Sequence, residues 1–153
     1  MNYRLLCLAG ILSLAALTSG CARGPRADIP RGARPVLVNM EITGYSDDKK
    51  STNWKRNWLF RPVIASGPSK GKPKKVGITA SGTKAKHGTL AADTAHYPFG
   101  TIMHVPGYGY GRVEDRGGAI KGPARLDVFF KSKKDALAWG RQRSVPVKVW
   151  LPR

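Results

Sequence analysis

The chain has 153 residues, enough for one domain with a modest core and too few for two substantial ones. Lys and Arg number 27 against 9 Asp and Glu, a formal charge of +18, while 41% of residues are hydrophobic, so the protein is strongly basic without being wholly disordered. With 18 Gly and 11 Pro, and with neither a Gly triplet nor a heptad running through it, it is not collagen-like, a coiled coil or a bundle of long helices, and a turn-rich, mostly β architecture is favoured.

In chain order, Arg4, the apolar stretch Leu5 to Leu17 and Thr18-Ser19-Gly20-Cys21 supply the basic start, apolar run and small residues of a secretory signal. The apolar run is shorter than the roughly 20 residues that cross a bilayer as a helix, so it predicts a cleaved segment and not a membrane span. Cys21 directly after Ser-Gly resembles a bacterial lipobox, in which the cysteine becomes the lipidated first residue; a plain secretory cut is the alternative. The expected organisation is a lipoprotein-type signal peptide at 1–20, a tether at 21–35 and a single domain at 36–153. Cys7 and Cys21 are the only cysteines, which leaves that domain without an internal disulfide, thiolate chemistry or a cysteine metal site.

Ala22 to Pro35 is rich in Pro, Gly and Arg and has no apolar periodicity, as expected of a tether. A first strand is predicted from Val36, where Val36, Val38, Met40 and Ile42 alternate with the other face. Asn53 to Phe60 then packs three aromatics between cations, and Gly67 to Lys75 reads as a solvated basic loop. Short strands are predicted at Thr89 to Asp93, Thr101 to Val105, Gly111 to Asp115, Leu126 to Phe130 and Val145 to Leu151, the spacing of a small closed or half-closed barrel. One short helix is marked by Ser132 as N-cap, Asp135 three residues on and Gly140 as stop.

The carboxylates in strand-like settings are Glu41, Asp93, Glu114, Asp115 and Asp127. Glu114 and Asp115 are adjacent on a strand, so alternation predicts that they cannot both enter one cleft. The double glycine Gly117-Gly118 between Asp115 and the strand of Asp127 permits unusual backbone angles or close approach to a sugar. Arg116 sets a cation beside these carboxylates. Thr79 and Ser81 could bond a sugar or their own turn, and Trp54, Trp58 and Tyr45 could stack on pyranose rings, with core packing of at least one tryptophan as the other reading. Tyr108 and Tyr110, alternating with glycines, suit a hairpin tip near the site or a structural turn. His87, His96 and His104 lack the spacing of metal ligands, and no metal or cofactor is expected. Nothing resembling a zinc finger or an aromatic RNA-binding strand supports a nucleic-acid partner.

Taken in order, Gly77 to Gly82, Gly88 to Asp93, Tyr97-Pro98-Phe99-Gly100-Thr101, Glu114 to Gly122 and Arg125 to Phe130 resemble the 3D (three-aspartate) domain, found in the C-terminal part of membrane-bound lytic transglycosylase A and in small exported wall proteins. The likeness runs roughly from Glu41 to Trp150, and Asp115-x-Gly-Gly-Ala-Ile-Lys-Gly is its most specific part. The resemblance implies an all-β fold, a six-stranded double-psi β-barrel with one short helix, and sets the three aspartates on Asp93, Asp115 and Asp127. It implies catalysis by Asp127 as acid/base with Asp115 beside it; Asp93, Thr79, Ser81, Gly117, Gly118 and Lys121 are the residues expected to give substrate binding or structural support. The expected function is a peptidoglycan lytic transglycosylase on the periplasmic side of the cell envelope, lipid-anchored through Cys21 to the outer membrane. A non-catalytic module binding wall glycan or anionic polymer is the alternative.

Overall fold

The computed structural model describes residues 25–49 and 51–152. The expected signal segment and Cys21 lie outside them. β1 (Val36–Tyr45) is followed by a small antiparallel hairpin, β2 (Trp54–Arg56) and β3 (Pro62–Ile64). β4 (Thr89–Ala92), β5 (Ile102–Val105), β6 (Gly109–Asp115) and β7 (Arg125–Phe129) come next, then α1 (Lys133–Trp139) and β8 (Arg141–Trp150). Six of the strands close into a barrel in the order β1-β7-β4-β6-β5-β8.

Two neighbouring pairs are parallel, β1 with β7 and β4 with β6; the other four contacts are antiparallel. β4 lies between the consecutive strands β6 and β7, and β1 lies between β7 and β8. These straddling connections are the psi crossovers of the expected barrel, and the loop over the end of β4 is the glycine-rich stretch 116–124. The period-2 pattern explains the closure. Met40 and Ile42, Leu90 and Ala92, Met103 and Val105, Val113, Leu126 and Val128, and Val147 and Val149 form one buried cluster inside the barrel. Residues of the opposite parity face outward, where Tyr45, Ala91 and Phe129 make a separate small cluster under the surface loops.

The helix is held as its sequence predicts: the Ser132 hydroxyl accepts the Asp135 N–H at 3.1 Å, and Gly140 ends it at φ +67°. It packs on β1 at Gly44, where a Cβ would stand 2.8 Å from the Ala136 carbonyl oxygen. Tyr108 is buried, its hydroxyl donating to the Phe129 carbonyl and accepting from the Gly88 N–H, so it joins three segments of the barrel.

Several local expectations differ. β8 begins at Arg141, earlier than expected, because its polar first residues pair with Thr43 and Ile42 of β1 without any apolar alternation to advertise them. The basic stretch is not simply a solvated loop. Ile64 and Gly71–Lys72 exchange backbone hydrogen bonds at 2.9 Å, and Lys74 N–H donates to Pro62, so residues 71–74 run back along β3. Neither Trp54 nor Trp58 enters the core, since both belong to the hairpin inserted outside the barrel. The described part of the expected tether lies against the barrel: Asp28 pairs with Arg112, Arg26 stands over the Tyr110 ring at 5.5 Å, and Trp150 Nε1–H donates to the Ala33 carbonyl.

Candidate functional site

β4 is the axis of the site. Its Ala91 pairs with Asp127 of β7 on one side and with Asp115 of β6 on the other, and Asp127 in turn pairs with Thr43 of β1. Directly paired residues share a face of a sheet, so Thr43, Asp127, Ala91 and Asp115 form one row on the outer wall. A β-bulge makes this possible. Leu90 pairs with Val113 but Ala91 pairs with Asp115, so Glu114 is the extra residue; in a regular strand, with Glu114 opposite Ala91, Asp115 would share the inward face of Val113. Glu114 stays out of the cleft, accepting a hydrogen bond from the buried Thr89 hydroxyl at 2.9 Å.

Asp115 and Asp127 line one cleft of about 240 Å³, together with Tyr45, Ala91, Gly117, Gly118, Arg116 and, from the inserted hairpin side, Ser51 to Asn53 and Lys74. Asp115 is held by the Ala80 N–H at 3.0 Å, by its neighbour's N–H at 2.9 Å, and by the Tyr45 hydroxyl at 3.3 Å. The Thr43 hydroxyl donates to Asp127 Oδ1. Burial is the main force on Asp127 and pushes its pKa above the ordinary carboxylate range. The Thr43 hydrogen bond and the charges of Arg141 and Arg125 oppose that shift, and the Asp115 charge adds to it. Burial, with Asp115 alongside, also raises the Tyr45 phenol and keeps it protonated.

Asp93 is apart from this pair. Its carboxylate accepts the Gly122 N–H at 2.9 Å and the Ala95 N–H at 3.1 Å, which hold its pKa below the ordinary range. It thereby ties the end of β4 to the 116–124 loop, whose Gly122 has φ +80°. The adjoining depression is larger, about 420 Å³, and contains Asp93, Lys121 and the same Gly117-Gly118. Its one carboxylate is held in the charged form by backbone donors and has no second carboxylate beside it, so the smaller cleft, which brings Asp115 and Asp127 together, is the better candidate for chemistry. Thr79 and Ser81 do not line either space. Their hydroxyls bond each other at 3.0 Å and the Thr83 region, closing the turn that delivers Ala80 to Asp115. Gly118 has neither a positive φ nor a neighbour within 4 Å of a Cβ, so nothing in its surroundings demands glycine, whereas at Gly117 a Cβ would meet Ile120 at 2.9 Å.

Thr43 and the anchoring role of Tyr45 are not visible in the sequence motif. Their outward parity on β1 is the available signal, and the strand they face is far away in the chain. Among the described residues, no three His, Cys, Asp or Glu side chains are gathered as a metal site requires.

A family model described as the 3D domain matches residues 88–151, which carry all three aspartates and the strands β4 to β8. Residues 88–151 form a 3D domain. The match begins at Gly88, so β1, which completes the barrel and supplies Thr43 and Tyr45, precedes it, as does the β2–β3 hairpin. The chain is similar to two proteins of Bacillus subtilis (strain 168). One, named "Putative cell wall shaping protein YabE", is 40% identical over 77 residues, 48% of this chain and 18% of that protein. The other, named "Cell wall-binding protein YocH", is 42% identical over 77 residues, again 48% of this chain and 26% of that protein. This chain therefore spans only about a fifth to a quarter of their lengths.

Proposed function

We propose that the protein works in the bacterial cell envelope as a peptidoglycan lytic transglycosylase, with Asp127 as acid/base. The observation that carries this reading is the joint presence of Asp127 and Asp115 on one open cleft, where burial raises the affinity of Asp127 for its proton. The wall-related names of the two Bacillus relatives support the substrate class.

Cleavage of the muramic acid–glucosamine bond needs a proton on the departing oxygen and stabilisation of an oxocarbenium-like centre. Thr43 donates to Oδ1 of Asp127, which leaves Oδ2 to carry the acidic proton. That proton passes to the bridge oxygen as the C–O bond breaks. The muramyl C6 hydroxyl then attacks the anomeric carbon and returns its proton to Asp127, closing a 1,6-anhydro ring. Internal attack gains from proximity because no water has to be captured. Asp115, a full strand away from Asp127, acts through its negative charge on the developing cation and is kept in place by Tyr45 and Ala80. In this reading Cys21 carries a lipid that holds the enzyme at a membrane.

A second reading, a wall-binding module without turnover, draws on the basic composition and on the name of the second relative. One experiment separates them. Residues 22–153 and the Asp127→Asn form are incubated with insoluble peptidoglycan, and soluble products are analysed by mass spectrometry. The enzyme reading predicts anhydromuropeptides from the wild type and a loss of about 10²–10⁴-fold in the variant, with wall binding retained. Folded wild-type protein that pellets with the wall and releases no anhydro product would leave the binding module.

A further inference from the structure

Away from the cleft, the tip of the β2–β3 hairpin is the feature the proposed chemistry leaves unused. Asn57 organises it: its Oδ1 accepts the N–H groups of Leu59 and Arg61, both at 3.0 Å, its carbonyl accepts the Phe60 N–H, and its own N–H donates to Arg61. The turn thus closes through Asn57 and the backbone. The side chains it carries do nothing to hold it. Trp58 is 84% exposed, Phe60 77% and Leu59 48%. Phe60 also has φ +57°, a left-handed conformation in which an aromatic residue is strained and glycine or asparagine would be at ease. A bulky apolar side chain presented to solvent at a strained position points to a contact outside the chain.

The charges around the tip indicate the partner. Lys55, Arg56 and Arg61 flank it and are exposed. No Asp or Glu occurs anywhere between Asp48 and Asp93, a stretch that includes the lysines of residues 70–75. A hydrated polyanion would satisfy the cations and gain nothing from Trp-Leu-Phe. A neutral glycan could stack on the rings but would leave the cations without a role. An anionic phospholipid surface satisfies both, with phosphates at the cations and an apolar layer just beneath.

We propose that this hairpin is a membrane-interface finger that seats Trp58, Leu59 and Phe60 in an anionic bilayer surface. Its base, Ser51 to Asn53, lines the Asp115–Asp127 cleft, so a seated tip sets that cleft about 10 Å from the headgroups, the rise of a three-residue strand.

The test uses residues 22–153, which contain every strand of the closed barrel and exclude the N-terminal apolar stretch. The protein is sedimented with vesicles of phosphatidylcholine alone and of phosphatidylcholine with phosphatidylglycerol, and inorganic polyphosphate serves as a soluble polyanion. The expected result is binding to the anionic vesicles only, with tryptophan emission quenched by acyl-chain-brominated lipid. Trp58→Phe should pellet like the wild type but lose most of the quenching. The double variant Trp58→Ser with Phe60→Gly should bind the vesicles at least about tenfold more weakly and polyphosphate equally well. Circular dichroism verifies its fold. Wild-type protein that does not bind anionic vesicles, equal vesicle binding by the double variant, undiminished quenching in Trp58→Phe, or a parallel loss of polyphosphate binding would each overturn the proposal.

Discussion

Asp127 sits on the outer wall of the barrel with its carboxylate taken largely out of water, and that position carries a cost at neutral pH. Its folded pKa is raised, chiefly by burial, so the native state holds the proton more tightly than the unfolded chain. Stability from this group is fully present below the ordinary carboxylate range and is lost as pH rises through the raised value. Asp127→Asn is therefore expected to be more stable than the wild type at pH 7, with the advantage disappearing below about pH 4. Thermal melts of both forms across that range check it. Gly122 presents a different constraint. At φ +80°, it aims its N–H at Asp93, and Gly122→Ala should cost about 1–2 kcal/mol in chemical denaturation by forcing a Cβ into a left-handed conformation.

At the level of elements, the site is an assembly of strands that are distant in sequence. β4 contributes only a small side chain to the row, Ala91, and so leaves open the space between the two carboxylate-bearing strands. The turn at Thr79 to Thr83 buttresses β6, and the 116–124 loop is tied down by Asp93 at Gly122 and by the Tyr97 hydroxyl at the Pro123 carbonyl. Helix α1 closes against β1 at its one point without a side chain. Gly44→Ala would drive a Cβ into the Ala136 carbonyl, and since that obstacle is backbone, helix and strand must separate. A loss of about 1–3 kcal/mol is expected in urea titration. The same strand carries Thr43 and Tyr45, so a fall in any wall-lytic activity should accompany it.

For the whole molecule, the +18 charge gives a long-range field that draws polyanions regardless of what the cleft does. Retention on walls carrying anionic polymers should fall steeply as salt rises from about 0.05 to 0.5 M, where the Debye length shortens severalfold. Pull-down with insoluble wall material over that range measures it. Release of anhydro products from short soluble glycan strands free of anionic wall polymer should respond much less, because the acid/base step lies within the cleft. The hairpin finger divides the same way: its cations respond to salt, and its apolar tip does not.

The alternation of Met40 with Ile42, Leu90 with Ala92 and Val147 with Val149 is a local property, as are the Ser132 cap and the glycine punctuation. A mostly β barrel with one short helix can therefore be read from the chain alone. The motif around Gly117-Gly118 likewise marks the three aspartates. Which of them meet could not be read there. Simple alternation cannot foresee the bulge at Glu114, and the bulge turns Asp115 onto the face of Asp127. Tyr45 and Thr43 reach the two carboxylates only because β1 runs parallel to β7, a pairing of segments more than eighty residues apart. Asp93, equal to the others in the motif, is drawn aside by two backbone N–H groups of loops that fold beside it. Periodicity and caps act between neighbours in the chain and so are written locally; register, bulge and burial arise only when distant strands compete for the same hydrogen bonds, and it is these that set the surroundings of Asp127.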